Sequence, residues 1–278
     1  MEGPVRILFA SSEVTPFASR SPMSDVIRKV PEYLHEYGGF ESRIMMPRYG
    51  TISERRNRLH EVIRLSGSKI LLGEDEDILK VKVASIPGIR LQVYFMDSLK
   101  YFKRKGIYED RDGTLFPDNL VRAVLFARSV LTTATNLGWS PDVVHAHGWI
   151  ACLLPVLLRS EYAESPLFGN SRVFYSSDGF TLDESFSAEQ AASFGLPNDP
   201  RFIGKPLSEV GPAFSDVLVS GPDESTGQEG SDEQNASDQS DQPTESRRDS
   251  IQLAGSVEEV TNLAAGLYGR FADATVEA

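Results

Sequence analysis

Along residues 1–220, short apolar runs alternate with longer stretches whose apolar side chains recur at three- and four-residue spacing. That alternation restricts a chain to a parallel α/β sheet, because parallel strands need a crossover element between them. Residues 6–10 predict a first buried strand, and residues 22–37 a helix with Val26, Ile27, Val30 and Leu34 on one face. Ser21 suits the helix N-cap and Pro22 its first position, Pro31 is expected to kink it, and Gly38-Gly39 ends it. Residues 42–46 predict the second strand and close a βαβ unit whose crossover is right-handed.

Residues 60–96 follow another rhythm. Strand-like runs at 62–65, 79–84 and 91–95 are separated by Gly67, Gly73 and Pro87-Gly88, which predicts an antiparallel insertion of hairpins. Helix returns at 118–136, then a strand at 141–145, a buried helix at 149–161, a strand at 172–176 and a last strand at 216–220. The fold class expected is a Rossmann-like, doubly wound α/β sheet with a β insertion, filling a domain of residues 1–220. Such sheets bind ligands at the carboxyl ends of their strands. That rule brings residues 11–25, 49–50, 145–149 and 176–179 to one rim.

The chain carries 28 basic and 40 acidic residues, a net charge of −12, which disfavours non-specific nucleic-acid binding. Residues 221–250 hold nine of the acidic residues against Arg247 and Arg248, with no aromatic and no Val, Ile, Leu or Met. Such a stretch buries too little to offset chain entropy and reads as a disordered acidic linker. Beyond it, Ile251, Leu253, Val257, Val260, Leu263, Ala264, Leu267 and Phe271 predict an amphipathic helix over 251–272, docked on the domain or on a protein partner. A single cysteine, Cys152, argues against a disulfide framework or a CxxC-type metal site, and His145 and His147 find no third ligand. With no apolar run of membrane-spanning length and no signal-like N-terminus, the expected location is cytoplasmic, with no membrane partner.

The rim segments carry a family likeness. ILFASSEVTPF followed by DV, then RIMMPRYG, YFKRKGIYEDRDGTLFPDN, DVVHAHGW and FGLP stand in this order. The series resembles the N-terminal half of bacterial glycogen synthases and plant starch synthases, and covers residues 6–220. The resemblance implies a single N-terminal half of a GT-B glycosyltransferase, from a family that transfers glucose from ADP-glucose to an α-1,4-glucan end.

The departures from that pattern shape the functional expectation. Where the family writes Lys-Thr-Gly-Gly-Leu after the first strand, this chain has Ser19-Arg20-Ser21-Pro22-Met23. Pro22 has no N–H and a fixed φ, so the phosphate cradle is expected to be dismantled and nucleotide-sugar binding to be weakened. Gly148 replaces the aspartate of a His-x-His-Asp-Trp motif, and Ser177 falls near a cleft histidine of the family. The 58 residues after 220 are too few for a second Rossmann domain.

The resemblance and the residue chemistry together name Glu13, Arg20, Asp25, Tyr49, Tyr101, Tyr108, His147 and Ser177 as candidate substrate-binding residues, with no catalytic residue, no metal and no cofactor assigned. Trp149 reads as core, and Arg55, Arg56 and Arg58 as an exposed basic patch. The expected ligand is an α-glucan or maltooligosaccharide. The expected function is a glucan-synthase half working with a separate donor-binding domain, against the alternative of an inactive glucan-binding or regulatory module.

Overall fold

The computed structural model describes residues 3–89 and 91–220, together with residues 249–252, 259, 262, 263 and 266–268. β1 (Val5–Ser11), α1 (Met23–Tyr37) and β2 (Phe40–Pro47) form the expected βαβ unit. A short α2 (Glu54–Asn57) leads to β3 (His60–Glu61), and β4 (Lys69–Leu72) and β5 (Asp75–Ile78) form a separate hairpin. β6 (Lys80–Ser85) and β7 (Gln92–Asp97) follow, then α3 (Asn119–Leu137), β8 (Val143–His147), α4 (Leu153–Leu158) and β9 (Arg172–Ser176). The described elements close with α5 (Ala188–Ser193), α6 (Leu207–Ala213), β10 (Val217–Ser220) and β11 (Asp249–Gln252).

The main sheet runs β11-β10-β9-β8-β1-β2-β7-β6-β3. All pairs from β11 to β7 are parallel, and only β7–β6 and β6–β3 are antiparallel. Strand alternation divides the core. Leu8, Ala10, Met45, Val144, Ala146 and Val173 face α3 and α4, while Ile7, Phe9, Ile44, Met46, Val143 and Phe174 face α1. The chain leaves β1 toward β2 on one side and later enters β8 on the other. β1 is therefore the topological switch point, and a crevice opens at its carboxyl end.

Several expectations are corrected. Residues 63–65 form a 3₁₀ turn rather than a strand, because Leu65 and Ser66 turn their N–H groups back to Val62. β7 is no part of an insertion: it extends the parallel sheet beside β2, leaving β6, β3 and the β4–β5 hairpin as the antiparallel portion. The helix over 149–161 is shorter, a 3₁₀ turn at Trp149–Ala151 followed by α4. Pro22, not Ser21, stands at the N-cap of α1 and has no polar side-chain atom to cap it, while the Ser21 hydroxyl donates to Glu13 instead.

β10 is followed by another strand. β11 pairs in register with it, so residues 249 and 250 are not linker and residues 251 and 252 are not helix. Residues 221–248, and most of the expected helix, lie outside the described residues. Within it, Leu267 and Tyr268 are buried against the domain's own sheet rather than offered to a partner.

Tyr268 stacks on Phe174 with centroids 5.4 Å apart, and its hydroxyl is hydrogen-bonded to His145 Nδ1 at 2.6 Å. His145 Nε2 and His147 Nδ1 both lie 2.8 Å from the Ser176 hydroxyl. Burial holds both imidazoles neutral and pushes His145 down to about 3. An unfolded chain takes up a proton at His145 below about pH 6.5 while the native state does not, and His147 adds in the same direction, so acid shifts the balance toward unfolding. Between pH 7 and 5.5 the unfolding free energy should fall by about 1 kcal/mol on account of His145. Urea titrations across that range check it, and the loss should shrink by about 1 kcal/mol in His145→Gln.

Candidate functional site

The switch-point crevice is built from strand ends. Ser12 and Glu13 follow β1, Gly148 follows β8, residues 177–180 follow β9, and Ser220 ends β10. The head of α1 supplies Arg20, Ser21 and Pro22, and the loop between β7 and α3 supplies Ile107 and Tyr108. All of these but Gly148 line an open cavity of about 690 Å³.

The strand ends are drawn together by main-chain bonds. Ser12 N–H donates to His147 O at 3.0 Å, and Gly148 N–H donates to Ser176 O at 2.9 Å. Gly148 adopts φ +78°, which L side chains rarely take. A Cβ there would overlap Ser12 Oγ and Asp178 Oδ2 and sit 2.8 Å from Ser12 Cβ. The space beside Gly148 is thus filled by a carboxylate from another strand end. Asp178 Oδ2 accepts from the Ser12 hydroxyl at 2.8 Å and from Trp149 N–H at 3.4 Å, and Oδ1 accepts from Phe180 N–H at 3.2 Å. Residue 148 thus brings no carboxylate, as the sequence indicates, and Asp178 brings one to the same corner from the end of β9.

Glu13 is 2% exposed and holds the turn before α1. Its Oε2 accepts from Arg20 N–H, and its Oε1 accepts from Ser21 N–H at 2.9 Å and from the Ser21 hydroxyl. Burial raises the Glu13 pKa; the Ser21 and Arg20 donors oppose that rise, and the neighbouring Asp178 adds to it. Arg20 lies over the Tyr108 ring, 5.2 Å from its centroid, and its Nη2 donates to the Tyr108 hydroxyl and to Glu109 Oε1, both at 3.0 Å. The Tyr108 ring also stacks on Phe180 at 3.7 Å and 14°, with Trp149 edge-on to both.

A buried cation shapes the loop carrying Tyr108. Arg122 on α3 donates from Nε to Tyr101 O at 2.9 Å, and from Nη1 and Nη2 to Asn119 Oδ1 and Ile107 O at 2.6 Å each. It lies over Phe116 and Trp149, at 5.2 and 5.3 Å, and burial pushes it down to about 10.

Four of the eight residues named from the sequence share the cavity wall: Glu13, Arg20, Tyr108 and Ser177. The other four stand elsewhere. Asp25 is exposed on the first turn of α1. Tyr49 and Tyr101 are buried in the core, so neither offers a flat face to a ligand. His147 is wholly buried, its Nε2 without a hydrogen-bond partner among the described residues. Trp149 is core, as its sequence context indicates, and Arg55, Arg56 and Arg58 are exposed on and after α2. The residues missed are Asp178, Ser12 and Phe180. Asp178 carried a usable signal, since an Asp-Gly step at the end of an apolar strand falls on the ligand rim of such a sheet.

Comparison with known proteins places this geometry. The family model of the starch synthase catalytic domain matches residues 6–216. A glycogen synthase of Pelodictyon phaeoclathratiforme is 42% identical over 171 residues, 61% of this chain and 35% of that protein. One from Chlorobium phaeobacteroides is 43% identical over 164 residues, 59% of this chain and 33% of that protein. The chain thus spans about a third of the length of these curated relatives. The solved catalytic domain of starch synthase IV from Arabidopsis thaliana, bound to ADP and acarbose, superposes with a TM-score of 0.63 at 20% identity. That match covers 80% of this chain and 45% of the other, and shows the shared fold.

The crowding at Gly148 yields a double-mutant test. Gly148→Ala should cost about 2–4 kcal/mol from positive φ together with overlap. In an Asp178→Ala background the cost should drop by about 1 kcal/mol or more, because one of the overlapping groups is gone. Denaturant unfolding of the four proteins measures the coupling.

Proposed function

Because this chain belongs to the starch synthase catalytic domain family, we propose that it supplies the glucan-facing wall of an ADP-glucose-dependent glucosyltransferase. In this reading an α-1,4-glucan end or a maltooligosaccharide occupies the switch-point cavity, and a donor-binding domain outside these 278 residues holds the sugar nucleotide. The observation that carries it is the composition of the wall. Ser12, Ser177, Asp178 and Ser220 present hydroxyls and a carboxylate, while Tyr108 and Phe180 present aromatic carbon. Pyranose rings have the same two characters, with polar hydroxyls around the ring and apolar C–H faces.

Transfer of a glucosyl group needs a held leaving group and groups aimed at the developing charge. In this reading the present wall orients the acceptor and the other domain holds the diphosphate. In this reading Asp178 is the carboxylate that accepts from a glucan hydroxyl, since among the described residues Oδ1 receives only the Phe180 N–H at 3.2 Å. Among the described residues no helix is long and apolar enough to cross a membrane, and a cytoplasmic location belongs to the same proposal.

The test has a binding arm and a transfer arm. Calorimetric titration with maltotetraose should give saturable binding, weakened about tenfold or more in Asp178→Ala, a loss typical of a buried charged hydrogen bond. Labelled glucose from ADP-glucose should enter a primer only after addition of the C-terminal part of a glycogen synthase relative. Absence of oligosaccharide binding overturns the proposal. Binding without transfer under any pairing favours the non-catalytic glucan-binding module, and robust extension by the chain alone removes the need for a second domain.

A further inference from the structure

Toward α6 and β10 the lining of the cavity turns apolar, with Pro212, Leu218 and Val219, and Tyr175 stands among them. Tyr175 is next to last in β9, paired with Ala146 on one side and Leu218 on the other. It is 4% exposed. The main chain of α6 lies against its ring, because residue 211 has no side chain. A Cβ on Gly211 would overlap Tyr175 Cε2 and sit 2.7 Å from Cδ2 and Cζ.

A tyrosine hydroxyl held this far from solvent is ordinarily hydrogen-bonded. The Tyr175 hydroxyl has no such partner among the described residues, and the residue that carries it lines the cavity. The Tyr49 hydroxyl is also unpartnered among the described residues, but it is shut in the core and is not on the cavity wall. Burial raises the Tyr175 pKa well above its ordinary value, with Cys152 and Asp178 pushing the same way. The hydroxyl therefore keeps its proton and remains a donor.

We propose that Tyr175 is a ligand-binding residue, its hydroxyl donating to an acceptor oxygen of a glucose unit seated between Asp178 and α6. The inference rests on the reading of the cavity as a carbohydrate site and deepens it. The ring and glycosidic oxygens of a glucan can only accept, and so can an ionised carboxylate such as Asp178. Tyr175 supplies a neutral donor for those oxygens. Pro212, Leu218 and Val219 supply apolar surface for a C–H face of the same unit.

Tyr175→Phe removes one oxygen and keeps the ring against Gly211. Two measurements on the whole chain test the contact: calorimetric titration with maltotetraose, and urea unfolding without sugar. Affinity should fall about fivefold, the loss of one neutral hydrogen bond. The unfolding midpoint should hold or rise, since the fold gives up no partner of that hydroxyl. A merely structural tyrosine would shift the midpoint and leave the affinity alone.

If the wild type binds maltotetraose and Tyr175→Phe binds it within a factor of about two, the contact is overturned and the carbohydrate site stands. A lowered midpoint in Tyr175→Phe, or its failure to fold, shows the hydroxyl serving the fold and overturns the contact as well. No saturable binding to the wild type overturns the carbohydrate reading and this contact with it.

Discussion

The missing side chain at Gly148 is the constraint on which the rim depends. Three strand ends, from β1, β8 and β9, converge there, and their main chains bond directly, Ser12 to His147 and Gly148 to Ser176. That approach leaves room beside residue 148 for one more group, and the room is taken by Asp178, reaching across to the Ser12 hydroxyl. A residue with a Cβ at 148 would separate Ser12 from Asp178 and push the loop after β9 outward. Phe180 sits two residues along that loop, so the stack against Tyr108, and with it the aromatic part of the cavity wall, follows from the same close packing.

Below the rim, two sets of buried polar side chains are joined through shared hydrogen bonds, which a low-dielectric interior favours. Tyr268, His145, Ser176 and His147 form one such chain, tying a residue near the C-terminus to the centre of the sheet. Arg122 organises another region. Its three donors hold Tyr101, Ile107 and Asn119, so a single buried cation fixes the path of the loop that carries Tyr108. Its rings are partners too, which explains how a guanidinium is held so far from solvent.

Most of the architecture was legible where periodicity was strong. β1, α1, β2, α3 and β9 fall where the apolar patterns place them, because each buries a continuous face. Short apolar runs were ambiguous: residues 62–65 read as a strand but close on themselves as a 3₁₀ turn, and the pattern of β7 says nothing about which neighbour it pairs with. β11 was hidden because a four-residue strand at the border of an acidic stretch has no period to read. At the site, chemistry types were legible but burial was not. Tyr49 and Tyr101 resemble Tyr108 in sequence, yet only Tyr108 reaches the cavity. Asp178 could be placed against Gly148 only once two strand ends were known to be adjacent, a relation that pairing register supplies.

Glu13 and Asp178 show how two carboxylates on one wall take different duties. Glu13 has both oxygens engaged by the turn before α1, and its environment is fixed by main-chain donors that no ligand can displace cheaply. Asp178 is half-buried and lightly bonded on one oxygen, which leaves acceptor capacity facing the cavity. The two carboxylates thus differ in what they leave open: Glu13 has both oxygens taken up by its own turn, while Asp178 keeps acceptor capacity on Oδ1.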